Sequence, residues 1–184
     1  MIYRQYKKSK GFTLIETLVA IAILMVAVVG PMSVIGGSLA QIAVARDQVV
    51  AVNLAQEGVE AVRQQRDSSM LDQWINGSNS PTYWRNGLQN NKEYIVSAPS
   101  LFSCGSFCST TEQEVYQDAS TGKYYQSLSG MTAGDTKVQF SRKIAVLYLA
   151  GNNEIQITST VTWISQGISR SVQVNEDLFG ISAP

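Results

Sequence analysis

A run of 29 consecutive residues without a charged side chain, Thr17 to Ala45, constrains this chain more than any other feature. A helix rises about 1.5 Å per residue, so roughly 20 such residues cross a hydrocarbon core of about 30 Å. Arg4, Lys7, Lys8 and Lys10 precede the run, and no acidic residue lies before Gly11. That asymmetry predicts the N-terminus on the cytoplasmic side and the rest of the chain translocated. A secretory signal peptide has an apolar stretch of about 7–15 residues with a small-residue cleavage site after it; this run is too long. A plain membrane anchor fits the length but not Glu16, a carboxylate at the mouth of the run. A charge in the middle of a membrane helix costs about 2.5–3.5 kcal/mol on insertion scales, so such a group needs a partner. A cut between Gly11 and Phe12 would supply one. The new α-amino group of Phe12 would lie four residues before Glu16, about one helical turn away. It would serve Glu16 on its own chain or on a neighbouring copy whose helix is shifted along the axis. The carboxylate is also near the positive end of the helix dipole.

The remaining composition excludes more than it assigns. At 184 residues the chain supports one domain plus an appendage. Beyond Gly11 it carries 10 basic and 14 acidic side chains, which makes no electrostatic case for nucleic acid or an anionic membrane surface. There is no histidine, which removes the commonest general base, the commonest metal ligand and every His-containing triad. No G-x-S-x-G nucleophile motif occurs, and no Asp/Glu spacing singles out a glycosidase-like couple. An enzyme is therefore not expected, nor a cofactor. Cys104 and Cys108, in CGSFC, fit a small disulfide loop in an exported chain; free thiols are the alternative. Metal or redox chemistry fits poorly, since zinc needs further ligands and the spacing is not that of a thioredoxin-like pair.

The segment KGFTLIETLVAIAIL resembles the N-terminal cleavage and methylation motif of type IV prepilins and the pseudopilins of type II secretion. In that resemblance Gly11 precedes the cut, Phe12 becomes the N-methylated first residue, and Glu16 is the acidic residue used in assembly. The short basic leader matches as well. The resemblance implies a prepilin peptidase, a pilus assembly machinery and other pilin subunits as partners, with membrane lipid around the helix before assembly. It also implies that Gly30-Pro31 marks where the helix loosens as subunits pack. On residue chemistry alone, proline removes a backbone donor and disfavours helix in the preceding residue, so a simple kink is the alternative. Gly36-Gly37 adds a second soft point or a place for close helix approach.

From Ser38 to about Arg66 the helix should continue in amphipathic form. Leu39, Ile42, Ala45, Val49, Val52, Ala55, Val59 and Val62 recur at three- and four-residue intervals and predict one apolar face. AVNLAQEGVEAVRQQRD resembles the same stretch of minor pilins. Between 67 and 137 the chain is rich in Ser, Asn, Gln, Gly and Tyr, with turns expected at INGSNSP, RNGLQNN and DASTGK. A strand is expected at Tyr94–Ser97, and Val115, Tyr116, Tyr124 and Tyr125 predict a hairpin around DASTG. Asn76-Gly77-Ser78 fits a glycosylation sequon and equally a generic loop. Trp74, Tyr83 and Trp84 fit core packing under the loop or a surface patch. Alternation at Val138–Tyr148, Ile155–Trp163 and Val172–Val174, with turns at Gly151–Asn153 and Ser165–Gly167, predicts an antiparallel meander.

The expected fold is α+β, a long N-terminal helix packed on a C-terminal antiparallel sheet, the plan of pilins. The expected organisation is a leader at 1–11, a transmembrane and filament-core helix at 12–37, an amphipathic half at 38–66 and an extracytoplasmic head at 67–184, its meander at about 138–176. VTWISQGISRSVQVNEDLF resembles the closing strands of some minor pilins. The expected function is a filament subunit, first a single-pass cytoplasmic membrane protein and then part of a surface filament. A minor pilin serving adhesion, motility or filament priming is the leading expectation. A pseudopilin of secretion or DNA uptake, and a membrane-anchored extracellular enzyme or binding protein, are the alternatives.

Overall fold

The computed structural model describes residues 11–77, 80, 82–97, 100–149 and 153–180, apart from the side chain of Ser33. The basic leader, Ser78 of the sequon and the Gly151-Asn152 turn lie outside the described residues. Contacts divide the chain into two units, residues 1–43 and 44–184.

Helix α1 runs from Leu14 to Asn76, 63 residues with Pro31 inside it. In the first unit every described side chain from 11 to 43 is exposed to solvent, Leu, Ile, Val and Met included. This part of the helix is long and apolar enough to cross a membrane.

In the second unit the helix packs on a seven-stranded antiparallel sheet. The strands are β1 (Lys92–Ser97), β2 (Ser100–Gly105), β3 (Glu114–Gln117), β4 (Tyr124–Tyr125), β5 (Thr136–Tyr148), β6 (Glu154–Ser165) and β7 (Ile168–Phe179). The long strand β5 organises the sheet. On one side it pairs with β6 along nine residue pairs from Phe140↔Trp163 to Tyr148↔Ile155, and β6 pairs in turn with β7. Its other side is shared. β1 takes the C-terminal half (Tyr94↔Ile144) and β3 the N-terminal half (Gln117↔Thr136), carrying β2 and β4 outward. The predicted meander is therefore present, and the hairpin around DASTG pairs Tyr116 with Tyr125, rings 5.6 Å apart. β2 and the short helix α2 (Thr110–Gln113) had no periodic signal. They sit on either side of the Cys104–Cys108 loop.

Alternation sends Phe140, Ile144 and Val146 of β5 and Ile155, Ile157, Val161 and Trp163 of β6 inward. Burying each such aliphatic side chain contributes about 1.5–3 kcal/mol. The helix meets them with Ala51, Leu54, Ala55, Val59 and Val62. This corrects the predicted stripe: Leu39, Ile42, Ala45 and Val49 are exposed, Val52 is half-buried, and Ala51 and Leu54 take inward positions that the stripe lacked. The predicted positions average about 3.3 residues apart, short of the 3.6 of a helix, so the stripe winds around the cylinder. Val49 lies roughly half a turn from Gly58, which faces the sheet. The aromatic cluster also divides, with Trp84 buried and Trp74 80% exposed.

Gly58 permits the closest approach of helix and sheet. A Cβ there would lie 2.5 Å from Ser159 Oγ and 3.1 Å from Ile144 Cδ1. Ser159 Oγ is itself buried without a hydrogen-bond partner. Gly58→Val should therefore destabilise by about 1–3 kcal/mol through overpacking. Ser159→Ala should be neutral or better, because it removes an unsatisfied hydroxyl. In that background a Cβ at Gly58 still meets Ile144 Cδ1 at 3.1 Å, so Gly58→Ala should recover only part of its helix propensity of about 0.8–1.0 kcal/mol. A double-mutant cycle by urea denaturation measures the coupling; strict additivity would rule out contact at this point.

The inward face of β5 holds one exception. Arg142, between Phe140 and Ile144, is fully buried. Its Nε donates to Gln126 Oε1 (2.8 Å), Nη1 to Leu54 O (3.0 Å) and Glu57 Oε2 (2.7 Å), and Nη2 to Val96 O (3.3 Å). Gln126 Nε2 donates to the carbonyls of Glu112, Gln113 and Arg142, and its Oε1 also accepts from Val96 N. One arginine and one glutamine thus join α1, β1, β5 and the α2 region. Desolvation pushes the Arg142 pKa down, and the Glu57 carboxylate opposes it.

At the DASTG turn Asp118 Oδ1 accepts from the Ser120 hydroxyl (2.7 Å), Thr121 N (2.7 Å) and Ser120 N (2.8 Å). These bonds, the Ser120 hydroxyl foremost, hold its pKa down at about 2, below the ordinary 3.8. A lowered folded value means the ionised carboxylate supports the turn, fully above about pH 3.8 and decreasingly as pH falls through about 2. Amide exchange at Ser120 and Thr121 should accelerate across that window, and Asp118→Ala should abolish the pH dependence. An unchanged profile in the variant would assign it elsewhere.

Candidate functional site

The helix does not begin at the predicted cut. Gly11, Phe12 and Thr13 lie in irregular backbone, and α1 starts at Leu14. Phe12 is 79% exposed, and nothing lies within 4 Å of a Cβ built on Gly11. A peptide bond in exposed, non-helical chain is accessible to a protease in a way that a hydrogen-bonded helical turn is not. Gly11 and Phe12 are thus placed beside the helix start, not within it.

What starts the helix is Thr13. Thr13 Oγ1 accepts from Glu16 N at 3.4 Å, and Thr13 O accepts from Glu16 N (3.0 Å) and Thr17 N (3.2 Å). Thr13 therefore stands at the N-cap, and Glu16 at the third helical position. The pattern Thr-x-x-Glu ahead of an apolar run is the sequence signature of a helix N-terminus. Recognising it would have located the boundary. Thr17 Oγ1 donates back to Leu14 O at 2.8 Å, a second local bond in the same turn. Glu16 is the acidic residue of the first turn, where the exposed N–H groups carry partial positive charge.

Further along, helical assignment continues through Gly30 and Pro31. The proline nitrogen carries no hydrogen, so Ala27 O receives no helical bond from residue 31. Ser38 Oγ donates to Val34 O at 2.9 Å beyond it. Cβ atoms built on Gly30, Gly36 and Gly37 would meet nothing within 4 Å. Within one chain these glycines leave open surface on the helix.

The cysteines are far from this site in sequence and belong to the second unit. Cys104 and Cys108 are disulfide-bonded, with Cα atoms 4.9 Å apart, inside the ordinary range for a bridge. The bridge closes a short loop at the end of β2. Asn76, of the possible sequon, ends α1, and its side-chain amide donates to Asp72 Oδ1 at 2.5 Å.

Residues 6–30 match the family model for the prokaryotic N-terminal methylation motif. No curated protein and no solved structure matches the chain. The matched stretch contains Gly11, Phe12, Thr13 and Glu16 and ends at Gly30. It is followed by an exposed apolar helix and a helix packed on an antiparallel sheet. The N-terminal segment carries the prokaryotic N-terminal methylation motif, which supports a type IV pilin-like prepilin.

Proposed function

We propose that this chain is a structural subunit of a type IV pilus-like filament, working as a minor pilin in adhesion, motility or filament priming. The precursor sits in the cytoplasmic membrane with its N-terminus inside and its head outside. A prepilin peptidase cuts between Gly11 and Phe12 and methylates the new amine of Phe12. The stem then leaves lipid for the core of a filament built with other pilin subunits by the assembly machinery. The observation that carries this reading is the methylation motif at 6–30 running directly into a helix whose apolar side chains are all exposed through residue 43. Such a surface needs lipid or other stems around it.

Leaving lipid yields little of the roughly 25 cal/mol per Å² that burial from water would provide. Direction and register therefore come from specific contacts, the Glu16 carboxylate with an amine and close helix packing. Pro31 and its flanking Gly30 supply the place where the helix yields as stems pack. The loose likeness of the helix and closing strands to minor pilins favours that role over a secretion or DNA-uptake pseudopilin.

Mass spectrometry of the N-terminus of protein taken from cells tests the reading. N-methyl-phenylalanine at residue 12 is expected. An intact Met1, or a terminus after the apolar run near Ser38, would overturn it.

A further inference from the structure

The outward face of the sheet carries a hollow of about 270 Å³ beneath the disulfide loop. This is just below the roughly 300–1,000 Å³ typical of pockets for drug-sized ligands, and matches a ligand of about one ring. One wall is apolar: Leu147 on the outward side of β5, and Phe107 at the tip of the loop. Phe107 is 81% exposed although it neighbours the buried Cys108.

The loop that presents this ring is held at several points. Besides the disulfide, Lys92 Nζ donates to Ser106 Oγ (3.2 Å), Cys108 N to Glu93 Oε2 (2.7 Å), and Gln113 Nε2 to Cys108 O (2.8 Å). An exposed aromatic ring on a pinned loop forgoes burial in the core while keeping a defined position. That combination lowers the ordering cost of stacking a ligand on it.

The neutral polar part of the lining flanks Leu147, with Gln156 its cross-strand partner on β6 and Asn91 on the other side of β5. It comprises the amide of Asn91, the hydroxyl of Thr158 and the amide of Gln156. Asn91 is held in left-handed backbone, φ 56°, with its N–H donating to Val146 O at 2.9 Å. Gln156 Nε2 reaches Asp177 Oδ1 at 3.3 Å, which leaves its carbonyl oxygen as an acceptor. The charged groups beside the hollow are engaged within the protein. Glu93 holds Cys108 N and Lys143 Nζ (2.8 Å), and Lys92 holds Ser106. What faces a ligand is therefore an aromatic ring, an aliphatic side chain, neutral donors and acceptors, and the Lys92 ammonium, whose hydrogen bond to the Ser106 hydroxyl leaves its charge in place.

We propose that this hollow binds a neutral pyranose, the apolar face of the sugar ring on Phe107 and its hydroxyl groups on Asn91, Gln156 and Thr158. A pyranose is the ligand class with one C–H face and a rim of neutral hydroxyls, and so matches an exposed ring beside side-chain amides and a hydroxyl. The site is formed within residues 91–158 and does not depend on filament assembly, so its failure and the failure of the filament reading are separable.

The test uses the full-length chain, 15N-labelled, in a phosphocholine detergent that carries no sugar headgroup. It is titrated with the methyl pyranosides of glucose, galactose and mannose, with N-acetylglucosamine, and with glucuronate as the charged counterpart. Saturable shifts at the Asn91, Phe107 and Thr158 amides are expected for at least one neutral sugar, with a dissociation constant on the order of 1 mM. Phe107→Ala and Thr158→Val, both at solvent-facing positions, should weaken it roughly tenfold while leaving the rest of the spectrum in place. Three outcomes each overturn the proposal: no saturable shift with any neutral sugar, unchanged affinity in Phe107→Ala, or tighter binding of glucuronate.

Discussion

Glu16→Ala should yield a protein that is inserted, cut and methylated as before but enters filaments at least roughly tenfold less well. The carboxylate sits at the third position of α1 behind its Thr13 cap. Removing it makes membrane residence easier, since a charge in a membrane helix costs about 2.5–3.5 kcal/mol. A simple anchor would therefore tolerate the change or benefit from it. A docking group would not, because the cation supplied by the cut Phe12 of a neighbouring stem loses its counter-charge. Processing is read by the mass of the N-terminus, membrane residence by fractionation, and assembly by the amount of protein in sheared or pulled-down fibres. Normal incorporation would end the pairing idea. Glu16→Asp keeps the charge but draws it in by one methylene, and should fall between the two. Thr13→Val, which removes the capping oxygen and keeps the shape, separates helix initiation from charge pairing. It should cost about 0.5–2 kcal/mol of local helix stability without removing the carboxylate.

Arg142→Ala should cost the head about 3–5 kcal/mol, the largest effect expected of any single change in it. The substitution leaves a cavity among α1, β1 and β5 and withdraws donors from Gln126 Oε1, Leu54 O and Val96 O together. At about 2–4 °C per kcal/mol for a unit of this size, the melting temperature should drop by roughly 10 °C. Arg142→Met distinguishes the packing from the charge. It fills most of the volume without an ion to desolvate, and buried ion pairs replaced by apolar groups are often neutral or better. Its cost should be well under half that of alanine. Glu57→Ala leaves the buried guanidinium with neutral acceptors and should destabilise by about 1.5–3 kcal/mol, the worth of a hydrogen bond to a charged group. In the Arg142→Met background the same glutamate change should cost almost nothing. Additive losses would show that the two side chains do not act as a pair.

How much was legible without the structure follows the range of the interactions involved. The membrane-length run, the methylation motif and the three closing strands are each written in consecutive or alternating residues, so local chemistry suffices to read them. The start of α1 was legible too, in Thr13-x-x-Glu16, although the apolar run alone did not reveal it. The helix face was misplaced because small residues at many positions allow several stripes, and only contact with the sheet selects among them. Gly58 and Ser159 make that selection, 101 positions apart in the chain. Arg142 is the harder case. In a strand of alternating apolar residues it reads as an interruption, and its acceptors come from Leu54 and Glu57 on α1, Val96 on β1 and Gln126 after β4, three separate segments.

The pair Trp74 and Trp84 makes the same point from composition. Two identical side chains ten residues apart have opposite fates, one exposed on the last turns of α1 and one buried against Gly180. A Cβ added to Gly180 would lie 2.2 Å from Trp84 Nε1, so the indole is held against that glycine. Nothing near either tryptophan in sequence carries that information.

The amino-acid sequence by itself determined that this chain carries a membrane-length helix with a methylation motif at its start, and a carboxylate four residues beyond Phe12. Those features are written in consecutive residues, so local chemistry suffices to read them. Only the tertiary structure decided which face of that helix meets the sheet, where a buried arginine finds its partners, and that Phe107 lines a hollow on the outward face of the sheet. Each of these depends on groups brought together from distant segments. Their free energies become available only once the sheet has closed and water has left the space between them.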